Sequence, residues 1–192
     1  MLSDQQINLL KAYQDKAFVS SILSEKSSNY YGFLKNLFSI PLILSNSIIC
    51  IINSSTIDSN QLKIINVILN GFTTLILTLT NFYKFSERCT LFKQNAVKFN
   101  KIVHGIEDSL INDIQNLTLE QLRTYIDQYD LLTEQIEFSF PEHIKKEVKE
   151  TYKNDRVLPN SINCIRSHRT PALKASKSNL ENIIIPLNQD ES

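Results

Sequence analysis

Tryptophan is absent, methionine occurs once, and the 192-residue chain holds only three glycines and five prolines. So little glycine excludes phosphate-cradling loops and dinucleotide-binding turns, which need the backbone freedom of glycine at fixed spacing. An excess of either charge is also missing, since 20 Lys and Arg balance 20 Asp and Glu. A nucleic-acid binder needs a basic surplus, so no nucleic-acid partner is expected. Cysteine is sparse and odd in number: Cys50, Cys89 and Cys164 match no metal or redox spacing. Cys50 and Cys89 read as buried small hydrophobes in a reducing compartment. His104, His143 and His168 are scattered, and the pairs Glu142/Glu147 and Asp127/Asp130 fall on solvated helix faces. No catalytic, cofactor-binding or metal residue is assigned, and neither an enzyme nor a small-molecule substrate is expected. The opening Met1–Gln6 has no basic segment followed by an apolar run, so no cleaved signal peptide is expected.

The chain has abundant isoleucine (25 residues) and asparagine (19 residues), which fits an AT-rich coding sequence. It also has two long segments without charge, Asn36–Ile57 and Ile64–Tyr83, although 21% of the residues are charged. Each reaches the roughly 20 residues that a helix needs to cross a bilayer. Tyr30, Tyr31 and Lys35 flank the first segment, and Lys63 and Lys84 bracket the second. The polar stretch Asn53–Gln61 joins them as a short turn, giving an antiparallel helical hairpin. From Lys84 to Lys101 the chain carries five basic residues and one acidic residue, while Asp58 and Lys63 cancel in the connecting turn. This asymmetry predicts two spans with both termini cytoplasmic. A soluble bundle with two buried, charge-free helices is the competing expectation.

An all-α chain in four parts is predicted. Residues 1–35 form an N-terminal cytoplasmic helix, 36–83 the transmembrane hairpin, 84–165 a cytoplasmic helical region and 166–192 a flexible tail. Ser3 or Asp4 caps the first helix. Within it Ala17, Ser20 or Ser21, Ser24 and Ser28 recur at helical spacing, either as a seam for close helix approach or as an ordinary polar face. Ile40-Pro41 predicts a break between this helix and the first span. In the second span Asn66, Asn70, Thr74, Thr78 and Asn81 trace one polar stripe, a candidate for pore lining or for interhelical hydrogen bonding. Ser39, Asn46 and Asn53, spaced by sevens, are the candidate matching face of the first span. Phe85, Cys89, Phe92, Ala96, Phe99, Val103, Ile106 and Leu110 then form a heptad seam, a candidate oligomerisation surface of coiled-coil type.

Further along, Leu119, Leu122, Ile126, Tyr129 and Ile136 line a second helix with Thr118 as N-cap, ended by Phe140-Pro141. A short charged helix from Glu142 to Lys153 follows, with Ile144, Val148 and Tyr152 on one face. The sequons at Asn53 and Asn116 are expected to be unmodified. The tail carries one apolar patch, Ile183-Ile184-Ile185-Pro186-Leu187.

The order of these features resembles the SLATT family, two-span membrane domains associated with bacterial conflict systems. It is most similar in organisation to stand-alone members in large DNA viruses. The resemblance rests on Phe38-Ser39-Ile40-Pro41-Leu42-Ile43-Leu44-Ser45, on Phe85-Ser86-Glu87-Arg88 leading into a helix with Ala96 and Phe99, and on Ser139-Phe140-Pro141-Glu142-His143-Ile144. It covers residues 8–165. It implies a homo-oligomer in a host or virion membrane, with the lipid bilayer as partner, acting as a pore-forming effector. A non-conducting membrane scaffold or virion-membrane component, working through its cytoplasmic coiled-coil helices, stays open beside it.

Overall fold

The computed structural model describes residues 3–54, 60–112 and 117–163. The chain divides into two units, Met1–Ile162 and Asn163–Ser192. The described residues form six helices: α1 (Asp4–Ser54), α2 (Asn60–Tyr83), α3 (Phe85–Asn112), α4 (Leu119–Glu134), α5 (Glu142–Tyr152) and the single turn α6 (Asn160–Asn163). No strand occurs among them. The proposed tail, Cys164 and the Asn116 sequon lie outside the described residues.

α1 is a single helix of 51 residues, about 75 Å long at 1.5 Å per residue. One seam runs along it at alternating steps of three and four. Leu10, Tyr13, Ala17, Ser20, Ser24, Ser27 and Tyr31 are buried, Leu34, Phe38 and Pro41 are half-buried, and Ser45 is buried again. The serines are therefore a close-approach seam and not a polar face. Burial would penalise a bare hydroxyl. Instead Ser24 Oγ donates to the Ser20 carbonyl (2.8 Å) and Ser27 Oγ to the Leu23 carbonyl (2.7 Å). Ser28 Oγ reaches across to the Cys89 carbonyl of α3 (3.0 Å).

The break expected at Ile40-Pro41 is absent, and α1 passes through Pro41. The missing amide costs one hydrogen bond to the turn before it. The seam on either side resists the break: Phe38 stacks on Phe85 of the partner leg, with ring centroids 5.4 Å apart, and Ser45 is enclosed a turn later. The 35/36 boundary thus falls inside one rod and separates no elements.

α2 and α3 make up the antiparallel return leg, separated only by Lys84. Its φ of 52° is the left-handed conformation, which costs a residue with a Cβ roughly 1–2 kcal/mol. Backbone bonds continue on both sides, from Lys84 N to the Thr80 carbonyl and from Arg88 N to the Lys84 carbonyl. What changes at Lys84 is the face. Leu62, Asn66, Leu69, Thr73, Ile76 and Thr80 of α2 turn inward at steps of four and three. The next inward residue is Phe85, five positions on, and the heptad resumes from there.

The heptad seam of α3 is closed within the chain. Phe85, Phe92, Ala96, Phe99, Val103 and Ile106 are buried, and Leu110 is partly buried against the same core. Their partners are α1 and α4, with α5 joining at the Phe85–Phe92 end.

α4 and α5 sheathe the half of the hairpin built from α3 and the first part of α1. Thr118 caps α4 as expected, in a capping box: its Oγ1 accepts from Gln121 N and its own amide donates to Gln121 Oε1. Leu122, Ile126, Tyr129 and Leu132 then pack on Leu10, Tyr13, Ala17, Phe99 and Ile106. α4 ends at Glu134, before Phe140-Pro141. Pro141 instead opens α5, whose Ile144 and Val148 join Val19, Leu23 and Phe92 in a second core. Ion pairs Lys26–Glu147 (2.6 Å) and Arg156–Asp15 (2.9 Å) tie the far end to α1.

Candidate functional site

The two halves of the hairpin differ in what they show to solvent. From Phe33 to Ile51 on α1 and from Ile64 to Tyr83 on α2, seventeen large apolar side chains are exposed, against five over the rest of the described chain. They include Ile43 and Phe33 at 64% exposure, Val67 at 72% and Phe82 at 77%. Each leg contains a stretch long and apolar enough to cross a membrane, and only 6% of each stretch is buried. A helix lacking charge because it sits in a protein core would show the opposite. Cys50 lies on this exposed belt, which corrects its expected burial, while Cys89 is half-buried beside Ser28.

Within the belt, the polar stripe and the inward face of α2 are different faces. Of the stripe residues only Asn66 is half-buried; Asn70, Thr74, Thr78 and Asn81 point outward. Asn66 Nδ2 donates to Asn53 Oδ1 of α1 (3.0 Å). Along α2 the stripe bonds to itself: Asn70 Nδ2 to Asn66 Oδ1 (3.0 Å), Thr74 Oγ1 to the Asn70 carbonyl (2.8 Å) and Thr78 Oγ1 to the Thr74 carbonyl (2.8 Å). These bonds lower the cost of placing the Thr74 and Thr78 hydroxyls in an apolar medium, because neither is left bare. Of the proposed matching face, Asn53 meets the stripe through Asn66, Ser39 is half-buried and Asn46 is exposed. Inside the hairpin the Thr73 hydroxyl is buried without a hydrogen-bond partner. Burial alone separates Thr73 from Thr74, and alternation in the sequence gives no sign of it.

At the opposite end of the molecule the candidate chemistry-bearing residues are dispersed. Among the described residues no three His, Cys, Asp or Glu side chains are placed to hold a metal. His143 packs edge-on against Tyr30, and His104 Nδ1 lies 3.6 Å from Glu107. A cleft of about 430 Å³ opens between α3 and the α4–α5 connection, lined in part by Asn95, Lys98, Glu134 and Phe138. Burial raises the Asp130 carboxyl above its usual range, partly offset by the Lys16 charge, and burial also raises the Tyr129 phenol. Both groups belong to the packing of α4 on α1 and not to an open site. No protein-family model, curated protein or solved structure matches the chain.

Proposed function

We propose that the protein is an integral membrane protein, a two-span helical hairpin of SLATT-like organisation that assembles into oligomers and acts as a pore. The distal half, α1 beyond Phe33 with α2, crosses the bilayer. The sheathed half, α3 to α6 with the start of α1, stands on the cytoplasmic side, a reading that the basic flank Lys84–Lys101 supports. The exposed belt carries this reading. Transfer of an exposed Leu, Ile or Phe side chain out of water is worth about 1.5–3 kcal/mol, so seventeen of them make lipid the favoured surroundings by tens of kcal/mol. Assembly falls to the stripe, since the α3 seam is enclosed within one chain. Asn70, Thr74, Thr78 and Asn81 point away from α1, toward neighbouring copies or the water between them.

A non-conducting scaffold is the second reading. The observation that favours it is the bonding of the Thr74 and Thr78 hydroxyls back to their own helix, which suits helix packing as well as contact with water.

Single cysteines at Ser55 and Ser192, in a chain otherwise free of cysteine, test the topology. An impermeant thiol reagent is expected to reach them from opposite sides of a sealed vesicle. Labelling from one side, or recovery of the chain without detergent in the soluble fraction, rejects the hairpin in the membrane. Ion flux and cross-linked oligomer yield, measured on the same liposomes, separate the two functions. Asn70→Leu lowers flux at constant yield if the stripe lines water. It lowers yield, by roughly 0.5–2 kcal/mol of association, if the stripe joins helices.

A further inference from the structure

Where the exposed belt ends, one charged side chain is held without a counter-charge. Arg88 lies one turn beyond Lys84 on α3 and is half-buried. Its Cζ sits 4.8 Å from the Phe138 ring centroid and 5.5 Å from that of Tyr31. Nη1 donates to the Tyr31 hydroxyl (3.2 Å), while Nε is buried with no partner. No Asp or Glu pairs with it among the described residues; the nearby Glu87 is bound to Lys84 at 3.1 Å. Aromatic faces fix the plane of the guanidinium and offer it no anion.

The surroundings share a level. Tyr31 is two residues from Phe33, where the belt begins on α1, and Arg88 is five residues from Tyr83, where it ends on α2. Lys35, one turn from Tyr31 along α1, is exposed and makes no ion pair among the described residues. Two unpaired cations therefore stand at the border of an apolar surface, one of them a planar fork suited to bidentate contact with phosphate oxygens. A partly desolvated arginine without a carboxylate is costly unless an anion completes it.

We propose that Arg88 and Lys35 form a site for a phosphate group, supplied by the headgroup of an anionic phospholipid. This rests on the membrane reading above. The full-length protein in detergent, mixed with equal amounts of phosphatidylglycerol and phosphatidylcholine, is expected to retain the anionic lipid about fivefold over the zwitterionic one by native mass spectrometry. Arg88→Gln is expected to remove most of that preference. Lys35→Gln alters an exposed residue and is expected to reduce it as well, whereas Lys101→Gln, far along α3, leaves it intact. Millimolar inorganic phosphate that leaves the retained lipid in place supports the lipid source, and displacement assigns the same site to soluble phosphate. Equal retention of the two lipids by wild type, or an unchanged preference in both Arg88→Gln and Lys35→Gln, overturns the site. If carbonate-washed membranes hold the wild type but no preference appears, only this inference fails. If the wild type is not in membranes at all, the reading beneath it fails too.

Discussion

Ser24 is fully buried and yet costs the fold little, because its hydroxyl is bonded to its own helix one turn back. What it contributes is thinness. With Ser20 and Ser27 it keeps one face of α1 flat enough for the large α3 rings, Phe92 and Phe99, to fill the space between the helices. Ser24→Ala is expected to be nearly neutral. Ser24→Leu overpacks the seam and is expected to cost about 1–3 kcal/mol, seen as a lower midpoint in thermal circular dichroism of the detergent-solubilised chain. Asp130 makes a different test. Burial, the largest effect on it, raises its folded pKa above the unfolded value, so the folded state holds the proton more tightly. The penalty is absent below the unfolded carboxylate range and grows as pH rises through the folded value. Asp130→Asn is expected to raise the melting temperature at neutral pH, and the gain should vanish below about pH 4.

At the scale of elements, the α3 seam is the part most dependent on its partners. Phe92→Asp places a bare carboxylate where Tyr31 stacks on the ring and Phe140 packs tilted against it. It is expected to unfold the sheathed half, costing several kcal/mol, with loss of helical signal in single copies as well as in oligomers. Lys98→Glu changes an exposed position and is expected to do little. A loss of oligomers with the helical signal intact would mean that the seam joins copies after all. The seam itself was legible because eight apolar positions at steps of three and four have only one helical explanation. The Thr118 cap and the α5 face were legible for similarly local reasons. What packs against them was not. A heptad shows that a stripe needs a partner, and here α1 fills that place, with Leu10, Tyr13 and Ala17 beside Phe99 and Ile106 and with Val19, Leu23 and Tyr31 beside Phe92. The continuity of α1 was hidden because Pro41 is a local signal for a break, while the seam that overrides it belongs to the tertiary structure. The outward direction of Asn70, Thr74, Thr78 and Asn81 was hidden because α2 has two faces with polar members, and only packing selects between them.

At the scale of the whole molecule, the legs of the hairpin are unequal. One is an unbroken helix of 51 residues; the other has a single left-handed residue at its middle. The unbroken leg behaves as a torsion bar. Each residue advances a helix by about 100°, so one alanine inserted after Leu34 turns everything beyond it by that angle, and no joint in α1 absorbs the twist. The inward line Phe38, Pro41 and Ser45 would swing away from the return leg, so the belt is expected to lose its pairing while the sheathed half keeps its melting transition. A whole heptad inserted there, matched by a second heptad before Lys84, changes the phase by only about 20° and lengthens both legs together. That double insertion is expected to fold and to protect from proteolysis in liposomes a segment longer by one heptad in each leg. Lys84 is the place where the return leg reconciles two phases of twist, and the bar opposite holds both halves to a single angular scale.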